Sequence, residues 1–570
     1  MYCNKQNVNI LTSLLLAHGL RQAVVCPGSR NAPIVHNLCL CEQVRCYPVT
    51  DERSAAFFAL GLILATGQAA AICVTSGSAL LNVAPAVAEA FYQRLPLVVI
   101  SADRPEAWIG QLDGQTLPQQ GALARFVNLS VSLPSSTNDE VSRWHCNRLV
   151  NEALMALHYP APAPVHINVP ITEPLFDFSV SSLPKERVVT QHFHHGHGCA
   201  EWVVEQWFRA KRPLMVIGQC RKDQHFQVDD DWRCAMHLLS TRGVLLSERL
   251  CGYPVPMIPV DEAMALVGND ELYTPDLVIY AGGHVVSKRL KAFLRKATSA
   301  KTIMLTSGGS LEDVTMHAHE VVELPDPADF VFALGKMWKN RTEDLSALYG
   351  TKEAQCGYHA CWQQVFDKIA TLKEEEAPTF SQMEVVRYFE QQLEDIDEVV
   401  VHYANSSAVR LANIFADHPV YCNRGVNGIE GSLSTAAGHA AATSSMVICV
   451  IGDLSFFYDQ NALWNHHLKG NFRIILLNNG SGGIFRQLEG LQKSEALDLY
   501  VSGSHQTTAQ GICTQNDIGY LHAANREEMR MAMVTLLTAP TNRPMLLEVF
   551  TNTDQDAAAL QQYYNRIVHS

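Results

Sequence analysis

The sequence predicts an α/β protein of three doubly wound domains with mainly parallel sheets. Three observations predict it. At 570 residues the chain is too long for one core, since domains average roughly 150 residues. Short apolar segments recur, each ending in Gly, Ser, Asn or Asp and followed by a helical pattern; such runs are strands covered on both faces. Two stretches, about residues 178–199 and 338–379, lose that rhythm and divide the chain into domains at 1–180, 195–340 and 375–570.

In the first domain the strands are QAVVCPGS, AAAICVTSG, PLVVISAD and APVHINVP. The second has PLMVIGQ, GVLLSE, DLVIYAGG and TIMLTSGG. The third has EVVVHYANS, PVYCNRG, MVICVIGD, RIILLNN and PMLLEVF, and resembles the first as an α/β unit. DLVIYAGGHVVSKRL reads as a strand, a tight Gly-Gly turn and a helix, in a Rossmann-like domain without the glycine spacing of a nucleotide site. Ligands of such folds bind beyond the carboxyl ends of the strands, where the small and polar residues lie.

Composition excludes several classes. Hydrophobic residues at 47% and charged residues at 18% describe a globular chain. With 43 Lys and Arg against 57 Asp and Glu, the net charge of −14 argues against a nucleic-acid partner or a basic membrane-surface protein. The 16 cysteines are scattered, without a C-x-x-C pair or a zinc pattern, and are expected reduced in the cytoplasm. The first twenty residues lack the basic lead and cleavage site of a signal peptide and are expected to form an amphipathic helix. Ala55 to Thr75 is nearly all apolar, but Gly67-Gln68 divides it into a buried helix and a buried strand, so no membrane span is expected.

Gly452-Asp453 closes one strand and Asn478-Asn479 the next, with room between them for one helix and one strand. An acid and an amide at neighbouring strand ends suit a divalent metal with oxygen ligands, such as Mg²⁺ holding a diphosphate. Either half alone reads as a helix cap. The pair resembles the diphosphate motif of thiamine-diphosphate enzymes, usually GDG followed by NN. That resemblance implies metal ligation by Asp453, Asn479 and the carbonyl of Ser481, with Leu454 in place of a motif glycine. Such enzymes also need a carboxyl group against the aminopyrimidine ring, to favour the tautomer that removes a proton from the thiazolium carbon. Glu52, at the start of the apolar helix SAAFFALGLILA, suits that role; a plain helix-start acid is the alternative.

CPGSRNAP, TDER, TSGSALLN, SADRP, PVHINVP, SKRL, CNRGVNGIEGSLSTAAG, GDLS and NNGSGGIF follow one another in this order. Together they resemble the 2-succinyl-5-enolpyruvyl-6-hydroxy-3-cyclohexene-1-carboxylate (SEPHCHC) synthases, thiamine-diphosphate enzymes of menaquinone biosynthesis. The resemblance covers the whole chain, densely in the first and third domains and thinly in the second. It implies the thiamine-diphosphate enzyme fold and a transferase that decarboxylates 2-oxoglutarate and adds the resulting carbanion to isochorismate in a 1,4-addition. Mg²⁺ or Mn²⁺ would accompany the cofactor. Active sites would lie at the subunit interfaces of a homodimer or homotetramer.

By the same resemblance Glu52, Ser29, Arg30 and Gln115 are the catalytic candidates. Ile429, Ile484 and Phe485 would join Glu52, Asp453 and Asn479 around the cofactor. Ser406, Arg410 and Arg424 would hold 2-oxoglutarate, and Ser29, Arg30, Arg104, Gln115, Lys288 and Arg289 would hold isochorismate. Gln115 lies in LDGQTLPQQ, which departs from the family's usual residues, and Ser407 is a possible substitute for Ser406. The arginine weighting is physically apt, because a planar guanidinium takes a carboxylate through two parallel hydrogen bonds; surface ion pairs are the alternative. Another thiamine-dependent 2-oxo acid decarboxylase or carboligase is the competing activity, and a silent binding protein would have no use for Glu52, Asp453 and Asn479 together. His192, His194, His195 and His197 read as a solvated linker, and the polar stretch 488–516 as a mobile lid or a disordered loop.

Overall fold

A computed structural model describes the chain except residues 192–197, 222–225, 325, 342–351, 373–378, 395, 397, 489 and 570. It contains three sheets, and every strand pair in them is parallel. The first comprises β1 (Gln22–Val25), β2 (Arg45–Pro48), β3 (Ala70–Val74), β4 (Leu97–Asp103), β5 (Leu129–Ser132) and β6 (Val165–Pro170), in the order β2-β1-β3-β4-β6-β5. The second comprises β7 (Pro213–Ile217), β8 (Val244–Ser247), β9 (Leu277–Ala281), β10 (Lys301–Thr306) and β11 (Glu320–Glu323), in the order β11-β10-β9-β7-β8. The third comprises β12 (Val399–Tyr403), β13 (Met446–Gly452), β14 (Phe472–Asn478), β15 (Gly519–Ala523) and β16 (Met545–Phe550), in the order β12-β13-β14-β16-β15.

The third sheet repeats the order of the first without its outermost strand. PVYCNRG, expected as a strand, stands in that place but forms no ladder; Tyr421 makes one isolated bridge to His402 of β12. The expected amphipathic first helix, Gln6–Ala17, instead buries Asn7 and Asn9 beside its apolar residues. Residues 180–189, part of the expected linker, run against the first domain. Tyr2 pairs with Val180, Ser13 donates to the Pro184 carbonyl at 2.7 Å, and Arg143 binds Glu186 at 2.6 Å. The expected histidine cluster, 192–197, lies outside the described residues.

The apolar stretch from residue 55 divides as its pattern predicts. Helix Glu52–Thr66 is capped by the Asp51 carboxylate, which accepts from Ser54 N, and ends at Gly67 with φ +65°. It packs on its counterpart in the third domain, helix Ser432–Ala442, at backbone distance. A β-carbon on Gly61 would lie 2.0 Å from the Thr435 carbonyl oxygen, and one on Gly438 2.0 Å from that of Phe58. This reciprocal contact merges the inner faces of the first and third domains into one core. Among the described residues no helix is long and apolar enough to cross a membrane, and the cysteines are free.

Candidate active site

The register of β13 on β14 sets Gly452 opposite Leu477, so Asp453 and Asn478-Asn479 emerge together at the strand ends. Asp453 is buried. Its Oδ1 accepts from Leu454 N at 2.7 Å and its Oδ2 from Gly480 N at 2.8 Å and Ser481 N at 3.2 Å. Ser481 N also donates to Asn479 Oδ1, at 3.3 Å. One amide thus gathers a carboxylate and an amide oxygen at the corner that carries the Ser481 carbonyl, and Gly480 makes the turn with φ +73°. Burial pushes the Asp453 carboxyl up in pKa, against the pull of the three amides and of His505, 3.4 Å away. Carboxylate, amide and carbonyl oxygens are the hard donors that Mg²⁺ takes, so this donor set fits a metal-held diphosphate.

Residues that the sequence left unassigned hold that corner. Asp556, on helix Thr553–His569, accepts from Asn479 Nδ2 at 2.9 Å, from Thr551 Oγ1 at 2.8 Å and from Gln382 N at 2.8 Å. An acid in the first turn of a helix carries no local sign of such a role. The stretch 488–516, expected as a lid or a disordered loop, forms short helical turns, Leu491–Lys493, Leu497–Val501 and Gln510–Gln515. Its far part is tied to the metal corner: Gly482 N donates to Ser502 O at 2.7 Å, and His505 N to Gly480 O at 2.8 Å. Leu454 packs toward Gly503. Ile429 approaches through its carbonyl, which accepts from Ser455 Oγ. Phe485 lies over Gly482, and Ile484 shares its short turn.

The cations of the second and third domains meet around a cavity of about 710 Å³, lined by Arg289, Arg410, Arg486, Asp261, Asp554 and Tyr564 among others. Arg289 is ion-paired with Asp261 and lies 4.3 Å over the Tyr564 ring. Arg486 pairs with Asp498 at 2.7 Å and Asp554 at 3.5 Å. Arg410 and Arg424 have no ion-pair partner among the described residues. Burial, then the charge of Arg424, lowers the pKa of Arg410. Arg424 donates to Asn405 Oδ1 at 3.0 Å, and Ser406 follows in the left-handed region, φ +74°, before helix Ser407–Phe415. Lys291, missed in the sequence because it follows the SKRL motif, joins this cluster; burial and Arg424 lower its pKa. Lys288 is exposed.

A separate group forms at the strand ends of the first sheet. Ser29 is exposed, whereas Arg30 is buried and engaged, donating to Ile171 O at 3.0 Å and pairing with Glu173 at 2.9 Å. Arg104 lies 3.6 Å from Asp113, and Gln115, with φ +57°, packs against Gly77. Glu52 lies near Cys26, whose thiol pKa burial and then the Glu52 charge push up. Its neighbour Arg53 donates to Tyr458 O at 2.7 Å. That contact is at the far end of helix Asp453–Tyr458 from Asp453. Among the described residues, no hydrogen bond or ion pair joins Glu52, Ser29, Arg30, Arg104 or Gln115 to the Asp453–Ser481 corner.

Residues 7–124 match the N-terminal TPP-binding domain of thiamine pyrophosphate enzymes, and residues 406–549 match the C-terminal TPP-binding domain. The first span contains Glu52 and the second Asp453, Asn479 and Ser481. The SEPHCHC synthase of Bacteroides thetaiotaomicron is 42% identical over 100% of both chains. The chain belongs to the SEPHCHC synthase family. The SEPHCHC synthase of Phocaeicola vulgatus is 41% identical over 99% of each chain, and that of Desulfotalea psychrophila 35% identical over 96% of this chain and 98% of its own. Membership makes this a thiamine-diphosphate-dependent transferase of menaquinone biosynthesis. The same fold occurs in a thiamine diphosphate-dependent 4-hydroxybenzoylformate decarboxylase of Rhodococcus jostii RHA1. It superposes with a TM-score of 0.70 at 19% identity, covering 96% of this SEPHCHC synthase family member and all of the decarboxylase.

Proposed function

We propose that the chain decarboxylates 2-oxoglutarate and adds the remaining four-carbon unit to isochorismate by 1,4-addition, giving 2-succinyl-5-enolpyruvyl-6-hydroxy-3-cyclohexene-1-carboxylate. The observation that carries this reading is the pair Arg410 and Arg424, close together at one strand end with no ion-pair partner among the described residues. A 2-oxo acid with a second carboxylate gives each guanidinium a bidentate partner. Pyruvate would leave one partly buried cation uncompensated.

Asp453, Asn479 and the Ser481 carbonyl would hold Mg²⁺, or Mn²⁺, and through it the cofactor diphosphate, with Ile429, Ile484 and Phe485 as the apolar wall. Thiamine diphosphate, when bound, supplies the centre that stabilises the negative charge left by loss of CO₂. Glu52 would hold and return a proton at the aminopyrimidine ring. Ser406 would assist Arg410 and Arg424, while Ser29, Arg30, Arg104, Gln115, Lys288 and Arg289 bind and orient isochorismate. Arg30 and Arg289 would do so with their carboxylates already bound to them, as aligned donors with little net charge. As the family resemblance implies, Glu52 of one chain would serve the cofactor held at Asp453 and Asn479 of another, in a homodimer or homotetramer. The free cysteines suit a reducing cytoplasm.

Isochorismate absorbance in the presence of thiamine diphosphate, Mg²⁺ and either 2-oxoglutarate or pyruvate tests the reading. Loss with 2-oxoglutarate alone, dependent on cofactor and metal, is expected. Unchanged isochorismate with CO₂ released from another 2-oxo acid would move the activity to a different decarboxylase or carboligase.

A further inference from the structure

Two buried carboxylates hold the turns that present the substrate cations. Glu89, on helix Ala84–Tyr92 of the first domain, accepts from Gly425 N and Val426 N at 2.7 Å each, directly after Arg424. The seat is close-fitting, since a β-carbon on Gly425 would lie 2.8 Å from the Glu89 carbonyl oxygen. On the other side of the turn, Gln219 of the second domain donates to Cys422 O at 2.9 Å. Glu248, just beyond β8, repeats the arrangement. It accepts from Val286 N and, at 2.7 Å, from Ser287 N, directly before Lys288 and Arg289.

Each glutamate is 3% exposed and makes no ion pair among the described residues, although Arg424 stands near enough to Glu248 for its charge to lower that carboxyl's pKa. Burying a carboxylate without a direct ion-pair partner is costly, and a neutral Asn or Ser could accept from a turn at far lower cost. What a charged two-oxygen acceptor adds is fixed geometry. Two consecutive amides must both point at it, which sets the direction in which the neighbouring side chain leaves the turn.

We propose that Glu89 and Glu248 are positioning residues, one for each substrate: Glu89 aims Arg424 at 2-oxoglutarate, and Glu248 aims Lys288 and Arg289 at isochorismate. The assignment of substrates rests on the reading given under Proposed function.

Steady-state kinetics of the holoenzyme carrying Glu89→Gln or Glu248→Gln, varying each substrate in turn, test this. Glutamine keeps the shape but turns an NH₂ toward one backbone amide in place of an acceptor. Glu89→Gln is expected to raise the KM for 2-oxoglutarate roughly tenfold and leave that for isochorismate within about twofold; Glu248→Gln does the reverse. Equal effects on both KM values, or a loss of kcat that follows the loss of thermal stability, would overturn the proposal. If a glutamine variant does not fold, Glu89→Asp and Glu248→Asp give the same readout with the charge retained on a shorter arm. Amide hydrogen exchange separates this proposal from the activity it rests on. Exchange within 421–428 rises in the Glu89 variant and within 284–290 in the Glu248 variant, even if the wild type consumes neither substrate. Unchanged exchange in both segments would overturn the proposal by itself.

Discussion

Asp556 accepts a hydrogen bond from Asn479 Nδ2 at 2.9 Å, and this decides which atom of the Asn479 amide faces Asp453. With its nitrogen committed to Asp556, Asn479 turns Oδ1 toward the Ser481 amide that Asp453 Oδ2 also accepts from. The two proposed metal ligands are therefore aligned before any ion arrives, and the aligning residue lies outside the motif. Support of this kind behind a ligand commonly accounts for 10–100-fold in metal affinity.

Asp556→Ala should accordingly raise the Mg²⁺ and thiamine diphosphate concentrations needed for half-maximal activity by roughly tenfold or more, with little change in saturated turnover. Titration of the apoenzyme with each component, read by activity and by cofactor circular dichroism, checks this. An unchanged requirement would mean that Asn479 is held by its own turn.

Glu52→Gln is expected to abolish most turnover, by about 100-fold or more, while the protein still folds and binds cofactor and metal. Turnover near that of the wild type, with confirmed cofactor loading, would remove Glu52 from the proton-handling role.

Arg410→Ala should raise the 2-oxoglutarate requirement about 100-fold, the scale of a lost charge-assisted pair, and move the isochorismate requirement far less. Equal shifts for both substrates would contradict the proposed division of cations. Arg410→Lys should recover only part of the loss, because an ammonium cannot make the two parallel bonds.

Gly61→Val tests the contact between the two helices. Its side chain would meet the Thr435 carbonyl and the His439 amide, both backbone atoms that cannot step aside. Overpacking of this kind costs about 1–3 kcal/mol or more. Chemical denaturation should show a lower midpoint; an unchanged midpoint would mean that the helices are free to separate.

Asp459 gives a pH dependence with a definite sign. It is fully buried, accepts from Ser434 N and Oγ, and lies near Arg53 and Asp51; burial raises its pKa to about 7. The folded state therefore keeps its proton where the unfolded chain, titrating near 4, has lost it. The stability this group contributes is complete below about pH 4 and falls as pH rises to about 7. Asp459→Asn keeps both contacts with Ser434, through Oδ1 and Nδ2. It should remove that slope from the unfolding free energy measured between pH 4 and 7, and an identical slope in the variant would assign it to other groups.

Strands buried on both faces are legible in the order of the residues alone, because two-sided burial demands an unbroken apolar run. β3, with all five residues buried, is such a strand. The placing of Asp453 and Asn479 at the ends of two such strands, and of Glu52 at a helix start, is legible in the same way. The missed strands, β5, β11 and β15, are sheet edges with partly exposed residues, where no apolar run is required. Tertiary packing settles which cations are already paired, as Arg30 and Arg289 are, and which have no ion-pair partner among the described residues, as is true of Arg410 and Arg424. It alone brought Asp556 to Asn479 and carried Glu89 to a turn 336 residues away. Local sequence records what a residue needs from the strand or helix it lies in. A buried glutamate that seats a distant turn is chosen by the packing of whole domains, and nothing in its own segment sets it apart from any other helix acid.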